Sequence, residues 1–197
     1  MRRVVRPSGW LMLFAAAGCG GSSKSAATPE GPPPVQVVQV APLTDLFVLE
    51  LDGAPPLDTA VALKPGVART VIVRHAPPDN NTFAELSFPA SVFAADSGRD
   101  SVRLVVRPRP GVYGLTLESD TPLGPGARIT FKYPVHFQAP QAATARYGGA
   151  LAFERALMVA VEQEEGRYGL LASTRPASDN LSGPMPRAGT YLAVAPR

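Results

Sequence analysis

The chain of 197 residues is poor in the residue types that form cross-links or hold metals. It has a single cysteine, so no disulfide can form within the chain. It also has only two histidines and one tryptophan. Zinc sites in proteins take three or four Cys, His or acidic ligands, and no such group stands at ligand spacing in this sequence. These absences exclude a disulfide scaffold and argue against a zinc centre.

Motifs that mark the common enzyme classes are also missing. The sequence has no nucleophile elbow, no phosphate-binding glycine loop and no dinucleotide fingerprint. Its 18 glycines and 22 prolines stand mostly between apolar segments, where they indicate turns and leave little room for long helices. We therefore predict no catalytic residue, no cofactor and no metal site.

The first residues have the pattern of an export signal. Arg2, Arg3 and Arg6 form a positive segment, residues 10–17 form an apolar run, and Cys19 follows small residues. A helix that crosses a bilayer needs about 20 apolar residues, and this run is shorter. The segment is therefore predicted to direct export and not to remain as a membrane span.

The four residues Ala16-Ala17-Gly18-Cys19 resemble the lipobox of bacterial lipoprotein signals. The resemblance implies that residues 1–18 are a signal peptide, removed before Cys19, and that the Cys19 sulfur carries a diacylglycerol, with its amine usually acylated as well. The chain departs from the family at Ala16, where Leu is preferred. Gly20 stands where an Asp would favour the inner membrane in Gram-negative lipoproteins, so the resemblance favours the outer membrane.

An ordinary signal peptide, cut after an Ala-x-Ala-like site, is the alternative interpretation of the same residues. It would leave the cysteine as an unpaired thiol on an exported protein. Lipidation gives the single cysteine a use, since two or three acyl chains anchor a protein stably where one gives only marginal attachment. Both interpretations place the protein outside the cytoplasm.

Net charge changes when the signal is removed. The full chain has 19 basic and 16 acidic residues, and loss of Arg2, Arg3 and Arg6 leaves 16 of each. The mature protein is therefore expected to be close to neutral. No cluster of Lys and Arg remains to bind nucleic acid or an anionic surface.

Residues 19–34 are predicted to be a tether. After the cysteine they are mainly Gly, Ser, Ala, Thr and Pro, a composition that buries too little apolar surface to offset the entropy of ordering. Residues 20–27 should be flexible, and Pro32-Pro33-Pro34 stiffer and extended. The remaining segment, 35–197, is long enough to form one globular domain with its own core.

Alternation of apolar and polar residues predicts an all-β domain. Residues 127–133 place Ala127, Ile129, Phe131 and Tyr133 on one face, as a half-buried strand requires. Turn residues separate this strand from its neighbours, which favours an antiparallel β-sandwich. Strands are predicted over residues 35–40, 46–51, 59–63, 69–74, 82–88, 101–107, 113–118, 127–133, 156–162, 168–173 and 190–195.

Two segments are predicted to be irregular. Residues 142–155 have helical composition, but Gly148-Gly149 interrupts them, so we expect a loop with at most one turn of helix. Ser182-Gly183-Pro184 is expected to be a turn.

Four features stand in chain order within residues 82–195: Phe88-Pro89-Ala90, the strands at 101–107 and 113–118, Phe131 with Pro134-Val135, and the terminal segment 189–194. Together they resemble the ZU-five β-sandwich of ankyrins and netrin receptors, related domains of which occur in bacterial lipoproteins. The resemblance implies a protein-interaction role without catalytic residues, and the alternative is a generic immunoglobulin-like sandwich. The chain lacks the glycine that commonly follows the strand-ending proline, since Ala90 and Ser91 stand there.

A few polar residues remain as candidates for a site. His75 and His136 are each expected to be solvated imidazoles. The loops at residues 79–81 and 96–100 carry Asp and Asn that suit turns better than a calcium site. Glu162, Glu164 and Glu165 run into Gly166 and are expected at a hairpin tip, and Tyr147 is expected in the long loop.

The sequence thus predicts a lipid-anchored protein of the cell envelope, attached through acyl chains on Cys19, with a non-catalytic sandwich that supports an envelope assembly or binds a protein partner. The alternative from another class is a hydrolase or carbohydrate-binding domain that uses Asp, Glu and Tyr side chains of the loops. A structural spacer without a partner is a third interpretation.

Overall fold

The computed structural model describes residues 35–96, 98–133 and 137–197. Over these residues the domain is an antiparallel β-sandwich, as the sequence predicts. The strands are β1 (Val37–Pro42), β2 (Leu46–Val48), β3 (Glu50–Leu51), β4 (Thr59–Leu63), β5 (Arg69–Arg74), β6 (Thr82–Phe88), β7 (Val102–Pro108), β8 (Gly114–Ser119), β9 (Arg128–Lys132), β10 (Phe137–Gln138), β11 (Met158–Glu162), β12 (Arg167–Leu171), β13 (Asn180–Pro184) and β14 (Gly189–Pro196). The helices are α1 (Gln141–Tyr147) and α2 (Ala150–Ala156), and 3-10 turns span Leu43–Asp45, Ala90–Asp96 and Glu164–Gly166.

Two sheets form the layers of the sandwich. The larger has eight strands in the order β1-β12-β11-β14-β8-β7-β4, with β2 pairing the last residues of β14. The smaller has the order β13-β9-β6-β5, and a short ribbon pairs β10 with β3. Each described pairing is antiparallel. Hairpins join β5 to β6 and β7 to β8, whereas β1 pairs with β12 and β13 with β9 across distant segments of the chain.

The main core lies between the two sheets and follows the predicted alternation. Ile129 and Phe131 of β9 are fully buried in this core, while Arg128 of the same strand is exposed to solvent. Phe83 stacks on Tyr113 with ring centroids 5.3 Å apart and meets Phe131 edge-on at 5.8 Å. Aromatic packing of this kind contributes energy beyond the burial of area and fixes the spacing of the layers.

A second apolar cluster occupies the other face of the larger sheet. It contains Ala160, Leu170, Leu192 and Val194, all at most 3% exposed. Strands β11, β12 and β14 are therefore apolar on both faces. This explains why their sequences alternate less regularly than those of β7 and β9.

The predicted loop at residues 142–155 is instead a pair of short helices, so that expectation was wrong. Gly148 takes a left-handed conformation (φ 74°) and its N–H bonds the carbonyl of Thr144, which ends α1. Gly149 then precedes α2. The glycines separate two helices and do not abolish them, because Ala143 and Phe153 are fully buried against the main core.

The predicted turn at Ser182-Gly183-Pro184 is also wrong, since these residues belong to strand β13. This strand lies at the edge of the smaller sheet, where proline is tolerated. A Cβ at Gly183 would stand 2.7 Å from the Cβ of Val159 on the facing sheet. Gly183 therefore allows close approach of the two layers.

Candidate functional site

Two of the predicted site residues fall outside the described residues. Cys19, the predicted lipidation site, and His136 both lie there. The acidic loop at 96–100 is described only in part, and there the side chain of Arg99 pairs with Asp120 at 3.0 Å. Among the described residues, no helix has the length and apolarity of a bilayer span.

His75 is buried, so the expectation of a solvated imidazole was wrong for this residue. It is 1% exposed, and its Nδ1 donates to the carbonyl oxygen of Ala54 at 2.8 Å. The ring meets Phe83 edge-on at 5.6 Å. Strand β5 turns Val71 and Val73 inward, and His75 continues that alternation past the end of the strand. The same period-two pattern in the sequence could have located it.

The loop at residues 79–81 has the bonding of a turn. Asn81 donates from its side-chain amide to the carboxylate of Asp79, and the N–H of His75 donates to the Asn81 carbonyl at 2.9 Å. Asn80 has a positive φ of 53°, which Asn adopts more readily than most residues. The described residues contain no group of three His, Cys, Asp or Glu side chains placed to hold a metal ion.

Tyr147 lies in α1 and not in a loop, which corrects the sequence prediction. Its hydroxyl donates to the carbonyl oxygen of Pro196 at 2.6 Å, and its ring meets Phe47 edge-on at 6.4 Å. Both contacts hold α1 against the end of the larger sheet. The hydroxyl of Tyr147, one candidate of the hydrolase alternative, therefore bonds within the fold.

The acidic residues near Gly166 stand at a hairpin tip, as predicted. Strand β11 ends at Glu162, the 3-10 turn Glu164–Gly166 follows, and β12 returns antiparallel. Gly166 has a φ of 70°, the left-handed conformation that glycine adopts without strain.

The buried tyrosines are poor candidates for acid–base chemistry. Burial raises the pKa of Tyr133 to about 12, with a further contribution from Glu154. Burial likewise raises the pKa of Tyr113 and of Tyr191 well above the ordinary range. A general base works best with a pKa near the operating pH. These phenols therefore stay protonated near neutral pH, and their role is to pack in the core.

Charged residues on the outer face of the larger sheet form pairs. Arg107 pairs with Glu118, both about half exposed, and Arg99 with Asp120. Arg103 lies beside them in an open, shallow depression. The carboxylates face arginines and do not converge on a histidine or on one another. The arrangement is that of a solvated polar face.

A different surface is found at the opposite end of this sheet, at residues 35–40, which we call the β1 edge. Strand β1 is the terminal strand and pairs on one side with β12. Val37, Val38 and Val40 are 46%, 62% and 42% exposed. Residues 35–41 contain no charged residue and no proline, and Pro42 ends the strand. Edge strands usually carry such residues to block pairing with other chains.

A β-bulge at Val38 determines which side chains of the β1 edge share a face. Val37 lies opposite Leu171 of β12, Gln39 opposite Leu170 and Val40 opposite Gly169, so Val38 is the extra residue. Positions 169 and 171 are on one face of β12. Val37 and Val40 therefore lie on one face of the sheet and Gln39 on the other.

No protein family, no curated protein and no solved structure matches this chain. The β1 edge is thus identified from its geometry alone. Sequence analysis predicted a strand at residues 35–40 but gave no sign that it would be terminal, since strand order depends on contacts between distant segments.

Proposed function

We propose that the protein is a lipid-anchored component of the bacterial envelope whose β-sandwich binds a protein partner through the β1 edge and catalyses no reaction. The exposed, uncharged terminal strand is the observation that carries the proposal. An edge strand offers unpaired backbone N–H and C=O groups to an incoming strand, and its side chains give that pairing specificity.

Attachment to the membrane rests on the lipobox-like Ala16-Ala17-Gly18-Cys19. Acyl chains on Cys19 would hold the mature protein, and Gly20 favours the outer membrane. A tether of residues 19–34 would span roughly 50 Å when fully extended. Because β1 starts at Val37, the β1 edge would be the part of the domain that follows the tether directly.

The resemblance of residues 82–195 to the ZU-five sandwich also supports an interaction role. That module binds proteins and carries no catalytic residues. The hydrolase and carbohydrate-binding alternative is less well supported, because Tyr147 is engaged by Pro196, and Glu118 and Asp120 pair with Arg107 and Arg99.

The anchor can be tested with Cys19→Ser in cells given a clickable palmitate analogue. We expect the wild type to incorporate the label and to fractionate with membranes, and the variant to lose both the label and normal processing. Ser22→Ala, a tether substitution three residues away, is the matched control and should behave as wild type. A labelled, membrane-bound Cys19→Ser protein would contradict lipidation at this residue.

The interaction surface can be tested with a photo-crosslinking amino acid in place of Val38, irradiated in living cells. We expect a discrete adduct of defined mass. The same amino acid in place of Ala62, on the terminal strand at the other end of the sheet, should give none. Absence of an adduct from position 38 would overturn the proposed role of the β1 edge.

A further inference from the structure

The β1 edge has a palindromic sequence. Residues 35–40 are Val-Gln-Val-Val-Gln-Val, the same in both directions. If two copies pair antiparallel about a two-fold axis between Val37 and Val38, Val35 lies opposite Val40 and Gln36 opposite Gln39. Each apolar side chain then faces an apolar one, and each amide faces an amide. Such self-complementarity is what a two-fold symmetric interface requires.

The bulge at Val38 makes this pairing geometrically consistent. Val35 and Val40 are five residues apart, so in a regular strand they would lie on opposite faces, whereas residues opposed in an antiparallel pair share a face. The extra residue removes the conflict, because it brings Val40 to the face of Val37. Val35 and Gln36 precede β1, and pairing with a second copy would extend the strand to them and place Val35 on the face of Val37. Gln36 and Gln39 share the other face for the same reason.

We propose that two copies of this chain pair through the β1 edge and form a symmetric antiparallel dimer, in which the eight-stranded sheets join into one continuous sheet. The proposal rests on the interaction role of the β1 edge proposed above and names its partner as a second copy. Valine pairs across the strands would bury the surface that is exposed in the single chain, and the glutamine amides would bond across the junction.

Anchoring to one membrane is compatible with this dimer. The paired strands would place the two copies of Val35 about 17 Å apart, at five residue steps of roughly 3.4 Å each. Each tether, at roughly 50 Å extended, would be long enough for both acylated cysteines to reach the same bilayer. Confinement to one surface would raise the effective concentration of each copy for the other.

Charge substitution at the two glutamines tests the register. Both Gln36 and Gln39 are exposed, so neither change should disturb the fold. Gln36→Lys/Gln39→Lys would place lysine opposite lysine at two positions. Gln36→Lys/Gln39→Glu would place each lysine opposite a glutamate in the symmetric pairing. The readout is the mass of the full-length, detergent-solubilised protein. Native mass spectrometry measures it over a dilution series.

We expect the wild type to dimerise, and the dissociation constant to rise about tenfold or more in the double-lysine variant, since like charges directly opposite destabilise a strand pair. The lysine–glutamate variant should return to within about threefold of the wild type. Ala60→Lys/Ala62→Lys carries the same added charge on the opposite edge and should dimerise as the wild type does. Two chains that only shared a detergent micelle would give the same apparent dimer in every variant, so a loss confined to the β1 edge variant indicates strand pairing.

Thermal unfolding of all three variants should match the wild type and show that the fold is intact. A monomeric wild type, or a double-lysine variant that dimerises as well as the wild type, would overturn self-pairing. If the wild type is monomeric but position 38 still gives a crosslinked adduct with another protein, self-pairing fails and the proposed interaction function stands. If no adduct forms and the wild type is monomeric, both fail.

Discussion

The two terminal strands of the eight-stranded sheet present different surfaces to a neighbouring molecule. At one end, β4 exposes only the short side chains of Ala60 and Ala62, and Arg103 of the adjacent strand lies opposite Ala62. Asp58 precedes β4 and lies 4.0 Å from Arg107. At the other end, the β1 edge exposes three valines, and Glu164, Arg167 and Arg187 line a shallow depression together with Val40. Neither strand carries a charge of its own, but charged side chains flank β4 near both of its ends, whereas at the β1 edge they lie at the Val40 end.

The two ends differ also in how the smaller sheet meets them. The connection after β4 leads directly into β5, so the chain passes from one layer to the other at that end. Toward the other end, β13 approaches β11, two strands in from the β1 edge. Because the two sheets differ in width, the wider sheet extends beyond the narrower one, and β1 is its outermost strand at this end.

The largest effect we predict concerns the point where the layers meet near the β1 end. Gly183→Val would force a side chain into Val159, whose Cβ is 2.7 Å from the position a Cβ would take. Overpacking of this kind should lower the free energy of unfolding by about 3 kcal/mol. Chemical denaturation monitored by circular dichroism measures it.

Gly98→Ala is the matched control, because a Cβ at Gly98 meets no atom within 4 Å. It should change the free energy of unfolding by less than about 0.5 kcal/mol. Unchanged stability of Gly183→Val would show that the layers separate easily there, and that the smaller sheet does not hold the β1 end of the larger one.

The next effect is pH-dependent and belongs to the covered part of the sandwich. Tyr133, which follows β9, has its pKa raised by burial to about 12, above the value near 10 expected in the unfolded chain. Between these two pH values the unfolded chain loses the proton and the folded chain keeps it. The stabilisation is therefore complete below pH 10 and is lost as pH rises toward 12.

Tyr133→Phe should reduce this alkaline loss of stability, measured as the shift of the unfolding midpoint between pH 8 and a pH near 11. Because Tyr113 and Tyr191 have raised pKa values for the same reason, part of the dependence should remain. Identical pH profiles for variant and wild type would contradict the assignment of the effect to Tyr133. Pairing through the β1 edge has no titrating group and should not follow this profile.

Much of the fold was predictable from the sequence because local alternation determines it. The segments 101–107 and 127–133 each turn one face to a single core, so their period of two is clear. Strands β11 and β14 are apolar on both faces, which weakens the period without removing the strand. The prediction failed where tertiary contacts override local signals, as at α2, whose Phe153 is fully buried.

The candidate site was predictable only in part. The palindrome at residues 35–40 is visible in the sequence, but neither the terminal position of β1 nor the bulge at Val38 is. Both depend on which strand pairs with β1 and in what register, and that is fixed by β12, more than a hundred residues away in the chain. The burial of His75 was predictable, because the alternation of β5 extends to it.

A third prediction converts the β4 edge into a second β1 edge. Asp58→Asn combined with Arg103→Ser and Arg107→Ser would remove three charged side chains that lie next to β4, a strand whose own residues 59–63 carry no charge. We expect association beyond the dimer to increase about tenfold, because a chain with two open edges can pair on both sides. Light scattering over a concentration series measures it.

The control for this variant is the same triple substitution combined with Gln36→Lys/Gln39→Lys, which should stop at a dimer paired through β4. Continued growth in that background would show that a surface other than the two edges drives association. No change in the triple variant alone would mean that charge is not what protects the β4 edge.

The smallest effect we predict tests whether charge at the β4 end stabilises the fold or acts mainly to keep that edge from pairing. Arg107 and Glu118 are each about half exposed, and exposed ion pairs contribute little to stability. Glu118→Gln should therefore lower the free energy of unfolding by less than about 0.5 kcal/mol at low salt, and the difference should vanish in about 1 M salt, where such pairs are screened. Urea denaturation at the two salt concentrations measures it. A loss above about 1 kcal/mol that persists in high salt would contradict this expectation, and would mean that the charged face near β4 stabilises the fold and does not act mainly to keep that edge from pairing.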